Sequence, residues 1–330
     1  MLSSGTFRTP LPNPERLTAI DRSHQLLLIG SCFTEHIGQR LQDLKFKSLL
    51  NPFGIVYNPS SMAMCLERLV RFSAVFSADD LFLHQDLWHS WDHHGAFSHP
   101  DKAVALDGMN QAYLKAVDAL QKTDVLLLTL GTADVFVLRE NGHVVANNHK
   151  MPEVVFDKKR LSVAEITTSL AGALAKVQQI RPDIKIILSI SPVRHLRLGL
   201  VENQRSKASL VLACAEICQQ LPNCQYFPSY ELLMDDLRDY RFYAADMIHP
   251  NDTAIEYVWA HFSKQFFTAE TIDLNEKIEK CLRAVRHRPL HPTTEAYRLF
   301  MQKQLELTEA LQKKYPQLDF SEELRVFSNK

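Results

Sequence analysis

Three uninterrupted apolar runs, QLLLIGS (25–31), DVLLLTLGT (124–132) and IKIILSISP (184–192), each stop abruptly at a small or polar residue. A strand with one wet face alternates apolar and polar side chains. A run without alternation, bounded by turn-forming residues, suits a strand buried on both faces. Such strands belong to a parallel sheet, whose crossover connections lay helices on either side. CQYFPS (224–229) is a weaker fourth run.

The stretches between the runs carry helical spacing. Residues 33–44, 60–72 and 103–121 read as helices, the second through Met62, Cys65, Leu66 and Leu69. Ser162 and Glu165 form a capping box ahead of Ile166, Leu170, Leu174 and Val177, which fixes a helix over 162–180. Helices at about 206–220 and 252–267 follow, the last capped by Asn251 and striped by Ile255, Val258, Trp259, Phe262 and Phe266. Strands alternating with helices predict an α/β, doubly wound parallel sheet with helices on both faces. VFVLRENGHVVA (135–146) breaks the pattern. Its two alternating halves around Asn141-Gly142 predict a hairpin excursion. Beyond about residue 270 the chain is wholly helical in pattern, which divides it into an α/β domain over 20–268 and a C-terminal helical appendage over 269–330.

Charge and composition narrow the partners. With 37 basic and 38 acidic residues the net charge is -1, and no basic excess is present to neutralise a phosphate backbone, which argues against nucleic acid. The N-terminus lacks a basic segment followed by an apolar core, and no run of about 18 apolar residues occurs, so the expectation is a cytoplasmic protein without membrane contact. Ten glycines in neither a G-x-G-x-x-G nor a Walker arrangement give no support to a nucleotide, and no cofactor is expected. The six cysteines include no Cys-x-x-Cys pair and read as free thiols; Cys214 and Cys218 share a helix face.

Ser31 stands at the end of the first strand run, just ahead of a helix. In a doubly wound fold ligands sit at the carboxyl ends of the strands, and the helix N-terminus there favours a developing oxyanion. A serine hydroxyl is a weak nucleophile and requires a histidine base with a group to orient it. YAADMIHPND supplies both: Asp246 and His249, two residues apart, lie in a loop leading into the last long helix of the α/β part. One loop can thus offer a carboxylate to one imidazole nitrogen and leave the other for the serine. Cys32, adjacent to Ser31, points elsewhere from a strand-to-helix turn and reads as packed.

Other constellations bear on binding. HQDLWHSWDHHGAFSH (84–99) holds five histidines, and His89 with His93 falls at helical i, i+4 spacing. Trp88 and Trp91 interleave, however, and no glutamate completes a His-Glu-x-x-His motif, so no metal is expected. The segment reads instead as the wall of a ligand cleft, with Trp88, His89 and His93 facing substrate. Arg194 and His195 follow the third strand at its carboxyl end, where the forked donors of an arginine suit a carboxylate, a phosphate or a sugar hydroxyl.

GSCF (30–33), NPFGIVYNP (51–59), WHSWDHH (88–94), LTLGTA (129–133 and its preceding leucine), ANNHKMP (146–152), SPVRHLRLGLVENQRSKASL (191–210) and YFPSYELLMDDLRDYRFYAADMIHP (226–250) together resemble the GSCFA family. That bacterial family resembles the SGNH/GDSL hydrolases. The resemblance spans residues 20 to 265 and implies a flavodoxin-like sheet of the SGNH type and ester chemistry, either hydrolysis or acyl transfer to a hydroxyl, on a small-molecule or carbohydrate acyl ester. It implies Ser31 as nucleophile, Asp246 and His249 as orienting acid and base, and the N–H groups of Ser31 and Gly54 as oxyanion donors. The SGNH pattern places an asparagine donor in a Gly-x-Asn-Asp block, whereas this chain reads Gly131-Thr132-Ala133-Asp134. Asn147, Asn148 and His149 are the expected substitutes for the missing donor. A chain lacking it altogether would be slower by about 10²–10³, or would be a binding protein without turnover.

Overall fold

A computed structural model of the chain describes residues 19–328 together with Thr9 and Leu11. The chain runs β1 (Gln25–Gly30), α1 (Cys32–Asp43), β2 (Lys47–Leu50) and α2 (Pro59–Leu69), then a hairpin of β3 (Leu81–His84) and β4 (Leu87–Ser90). There follow α3 (Lys102–Lys122), β5 (Val125–Leu130), an antiparallel ribbon of β6 (Asp134–Leu138) and β7 (Phe156–Arg160), α4 (Val163–Ile180), β8 (Lys185–Ile190), α5 (Leu200–Gln220) and β9 (Cys224–Phe227). A single turn α6 (Ser229–Glu231) continues as a π turn over Leu232–Leu237, and α7 (Asp252–Phe266), α8 (Ala269–Arg286), α9 (Glu295–Lys314) and α10 (Ser321–Ser328) complete the chain.

Five strands form one parallel sheet in the order β2-β1-β5-β8-β9. With the two antiparallel ribbons set aside, this is the flavodoxin-like order 2-1-3-4-5. Its winding direction reverses between β1 and β5, and the crevice at such a switch point is where ligands settle. The register fixes what lines that crevice: Gly30 pairs with Thr129, and Leu130 with Ile190. Ser31, Gly131 and Ser191 therefore leave the carboxyl edge of the sheet side by side.

The absence of alternation in the strand runs is explained by two cores. On one face Leu27, Ile29, Leu126, Leu128, Ile186 and Leu188 meet α2, α3, α4 and α5 through residues such as Met62, Met109, Leu170 and Leu210. On the other face Leu26, Leu28, Val125, Leu127 and Ile187 meet α1, α7 and α8 through Ile37, Phe262 and Ile278, joined by Leu318 and Phe320. Neighbouring residues of one strand point to opposite cores, as the two-residue period requires. Each fully buried leucine or isoleucine contributes about 1.5–3 kcal/mol, so both layers are needed.

The Ser162–Glu165 capping box and the Asn251 cap form as the sequence implies, and the helical character beyond residue 269 is observed. The 135–146 hairpin forms around Asn141-Gly142, with Gly142 at φ 76°, an antiparallel bridge from Val137 to Val144, and backbone bonds from Leu138 N–H to the His143 carbonyl at 2.8 Å and from Val145 N–H to the Phe136 carbonyl at 3.0 Å. The partner of β6 is β7, whose sequence FDKKR is charged and mostly exposed and so carries no apolar signal. Residues 81–90 fold as the β3–β4 hairpin with His93 in the turn that follows, and not as a helix, so His89 and His93 do not share a helix face. No helix among the described residues is long and apolar enough to cross a membrane.

Candidate active site

The close approach of β1 to its neighbours explains the glycine before Ser31. A Cβ at position 30 would collide with Thr34 and lie 2.8 Å from the Thr129 carbonyl oxygen, and the Gly30 N–H donates to Asn51 Oδ1 at 2.9 Å. Ser31 then caps α1. Its Oγ accepts the Phe33 N–H at 3.3 Å, its own N–H donates to the Thr129 carbonyl at 3.3 Å, and it is 3% exposed. The hydroxyl thus lies at the positive end of a twelve-residue helix.

The loop between residues 243 and 251 is closed by Ala244 N–H to the His249 carbonyl at 2.8 Å and by Asn251 N–H to the Phe242 carbonyl at 3.0 Å, with Met247 at φ 58°. Inside it Asp246 Oδ1 accepts the N–H groups of Ile248 and His249 at 2.9 and 3.0 Å, while Oδ2 lies 2.6 Å from His249 Nδ1. These bonds, the His249 N–H first, hold the Asp246 carboxyl down to about 2. An ionised Asp246 fixes the proton on Nδ1 and leaves Nε2 as the basic nitrogen. The loop is joined to the segment leaving β8 by Arg194 N–H to the Ile248 carbonyl at 3.3 Å. No hydrogen bond links Ser31 Oγ to His249 among the described residues; the cap uses Oγ as an acceptor and leaves its O–H to donate.

The oxyanion donors expected from sequence are not assembled as a set. Gly54 does adopt a positive φ of 73°, but its N–H closes the tight NPFG turn on the Asn51 carbonyl at 2.7 Å, and its Cα faces His94. His149 is buried away from the crevice: its Nε2 lies 2.8 Å from the Ser90 carbonyl and its ring 4.4 Å from that of His89. Asn147 Oδ1 accepts the His149 N–H at 2.8 Å and shapes that turn. Asn148 alone of the three lines the cavity described next. Ala133, where an asparagine would stand, is fully buried and its N–H donates to Ser206 Oγ at 2.7 Å.

Beside the strand ends lies a cavity of about 230 Å³ walled by Tyr57, Thr132, Phe136, Asn148 and His195, with Arg160 and Arg197 at its rim. His195 is held by its N–H to Asn203 Oδ1 at 2.9 Å, its ring tilts 5.4 Å from Tyr57, and its Nε2 faces Gly131. Burial first, then the charges of Lys207 and His249, push His195 down to about 3, so it is a neutral imidazole with one N–H to offer. Both rim arginines are paired: Arg160 bridges Asp134 and Glu202, and Arg197 binds Glu153. Arg194 does not enter the cavity; its guanidinium stacks 4.1 Å from Tyr243 and 4.9 Å from Tyr240. A larger open groove of about 710 Å³ runs along α1 toward α7 and α8, but its wall is charged and cross-linked by Arg40 to Glu256 and Glu279. The smaller cavity adjoins the strand ends through Thr132 and His195 and combines aromatic walls with amide and imidazole groups, but Ser31, Asp246 and His249 are not among its lining residues.

The histidines of 84–99 serve packing. His93 is wholly buried among Phe53, Phe76 and Phe97, and burial pushes it down to about 3. His89 Nδ1 meets Ser98 Oγ at 2.6 Å and its Nε2 the His84 carbonyl at 3.1 Å. Trp88 lies under the Lys102 ammonium at 4.4 Å. None of Trp88, His89 and His93 lines the cavity, contrary to expectation. Among the described residues no three histidine, cysteine or acidic side chains converge as a metal site.

Sequence reading passed over Tyr57 and Lys207. Tyr57 is half-buried and its carbonyl receives the Gly131 N–H at 2.6 Å. Lys207 lies on the buried stripe of α5 with Asn203, Ser206, Leu210 and Cys214. A lysine at a core-facing helical position was the available signal.

One solved structure, an acetyl xylan esterase (Est2A) from the rumen bacterium Butyrivibrio proteoclasticus, aligns over 80% of this chain and 65% of its own, with 10% identity and a TM-score of 0.35. The chain thus spans just under two thirds of that esterase. No curated protein matches the sequence. The GSCFA family matches residues 25–262, and the C-terminal domain of GSCFA domain proteins matches residues 274–330. The first match alone takes in the whole parallel sheet, Ser31 and the Asp246–His249 loop, and the chain belongs to the GSCFA family.

Proposed function

We propose that this protein is a serine ester hydrolase acting on acyl esters of small molecules or carbohydrates. The observation that carries the reading is the Asp246–His249 pair at 2.6 Å, oriented by two further N–H bonds, on the same sheet edge as a serine at a helix N-terminus. His249 Nε2 takes the proton of Ser31 as Oγ attacks the ester carbonyl carbon, and the C=O electron pair moves onto oxygen. The oxyanion lies over the first N–H groups of α1. Its collapse expels the alcohol, which takes the proton from His249. Water, deprotonated by the same imidazole, then attacks the acyl-enzyme and releases the acid and Ser31. The step requires the Ser31 O–H within hydrogen-bond reach of His249 Nε2. Neutral His195 and the Asn148 amide offer donors to the bound substrate. A hydroxyl of a second substrate in place of water would give an acyltransferase by the same steps.

The test is a fluorophosphonate probe with peptide mapping, alongside turnover of acetylated sugars and short p-nitrophenyl esters. Label on Ser31 and loss of turnover in Ser31→Ala are expected. Label elsewhere, or equal turnover by the variant, sinks the assignment. A second reading, a non-catalytic binding protein, is favoured by the engaged Ser31 Oγ and Gly54 N–H and by the missing donor at Ala133. Saturable binding of an acetylated sugar with neither label nor turnover would select it.

A further inference from the structure

Lys207 is 1% exposed, and its ammonium donates to the carbonyls of Gly131 and Ser191, each at 2.6 Å. Those residues directly follow β5 and β8, so the ammonium joins the two strand ends that border the crevice. No carboxylate accompanies it among the described residues. The groups that feel its charge are Cys32 on α1 and His195 on the loop after β8, while the Tyr230 ring on α6 lies 5.5 Å away. A buried, unneutralised ammonium is costly, and an apolar chain of the same length would fill this space without that cost. Its partner Gly131 leaves the sheet edge on the strand next to Ser31, in the Gly131–Asp134 block that lacks the side-chain donor expected at Ala133.

We propose that Lys207 is a positioning residue whose buried positive charge stabilises the oxyanion in place of that missing donor. The inference rests on the esterase reading above. The two carbonyl bonds occupy the nitrogen as a donor, which sets it apart from a lysine base in a serine–lysine pair; they also favour the ammonium form. By clamping the Gly131 and Ser191 carbonyls, Lys207 fixes the segments that carry Thr132 and His195 into the cavity. Its charge acts from below the site without touching substrate, strengthened by the surrounding low dielectric. Burial, opposed weakly by Cys32, pushes it down to about 7, so the stabilising charge is itself lost on the alkaline side.

Three measurements decide this. Lys207→Met is expected to lower kcat by about 10²-fold while KM stays within about threefold and fluorophosphonate still labels Ser31. Wild-type kcat is expected to fall between about pH 7 and about pH 9, and Lys207→Arg, whose charge persists, to move that limb upward. A purely structural lysine would change the melting temperature without moving the limb. Lys207→Met with wild-type kcat overturns the proposal while leaving the esterase reading intact. If Lys207→Met does not fold, an alkaline limb of kcat that Lys207→Arg leaves unmoved overturns it instead. Wild-type protein that is neither labelled nor active removes both readings together.

Discussion

The sheet edge and the histidine-rich hairpin both gather imidazoles, and they use them in opposite ways. His93 and His89 in the hairpin have their rings packed against phenylalanines or bonded within the same segment, closed from solvent. His249 at the edge is bonded on one nitrogen only, stands open to solvent, and has an ionised carboxylate behind it. The number of histidines in a stretch therefore says little about chemistry. Both His93 and His249 keep one ring nitrogen unbonded; what separates the two regions is that Nε2 of His93 is sealed in the core whereas His249 is half open to solvent with a carboxylate on its other nitrogen.

The largest test of this contrast is at the edge. Asp246→Asn and His249→Ala are each expected to lower kcat by about 10⁴ with the melting temperature nearly unchanged, since the pair is exposed and stabilises little. The double variant should lose far less than the product of the two, because the residues act as one unit. Multiplicative losses, read from kcat in the four-member cycle, would make the loop a mere cap. In the hairpin the opposite split is expected. His93→Ala should cost about 3 kcal/mol in denaturant unfolding through the cavity it leaves, with kcat unchanged. A fall in kcat with normal stability would give the hairpin a share in the site.

The smallest effect is in pH. His93 is neutral in the fold, held near 3, against an ordinary value of 6.5 once unfolded. Below about 6.5 the unfolded chain binds the proton that the folded chain refuses, so stability is full above that pH and falls as pH drops toward 3. His93→Leu is expected to remove about 2 kcal/mol of the loss between about pH 7 and about pH 5. Equal acid sensitivity in the variant, measured by urea unfolding at both pH values, would assign the loss to other groups.

The doubly wound sheet was legible because strands buried on both faces write themselves as unbroken apolar runs, and the capping box at Ser162 needs only local chemistry. β7 was illegible for the converse reason: FDKKR is a ribbon strand with wet side chains, recognisable only by its partner. The Asp-x-x-His pair was legible because its contact spans three residues. Gly54, His149 and Lys207 were not. Whether an N–H is free or a lysine is buried under a sheet edge depends on contacts such as those of Lys207 with Gly131, 76 residues away.

One consequence follows from how α1 is held. Beyond Ser31 this helix is tied to α8 by Arg40 with Glu279 and by Asp43 with Arg286, and the turn after it reaches α10 through Lys45 and Glu323. The C-terminal helices thus act as a splint along the rod that carries the serine. Warming that frayed those ties would leave the sheet standing while the hydroxyl lost its aim, so heat inactivation would run ahead of melting.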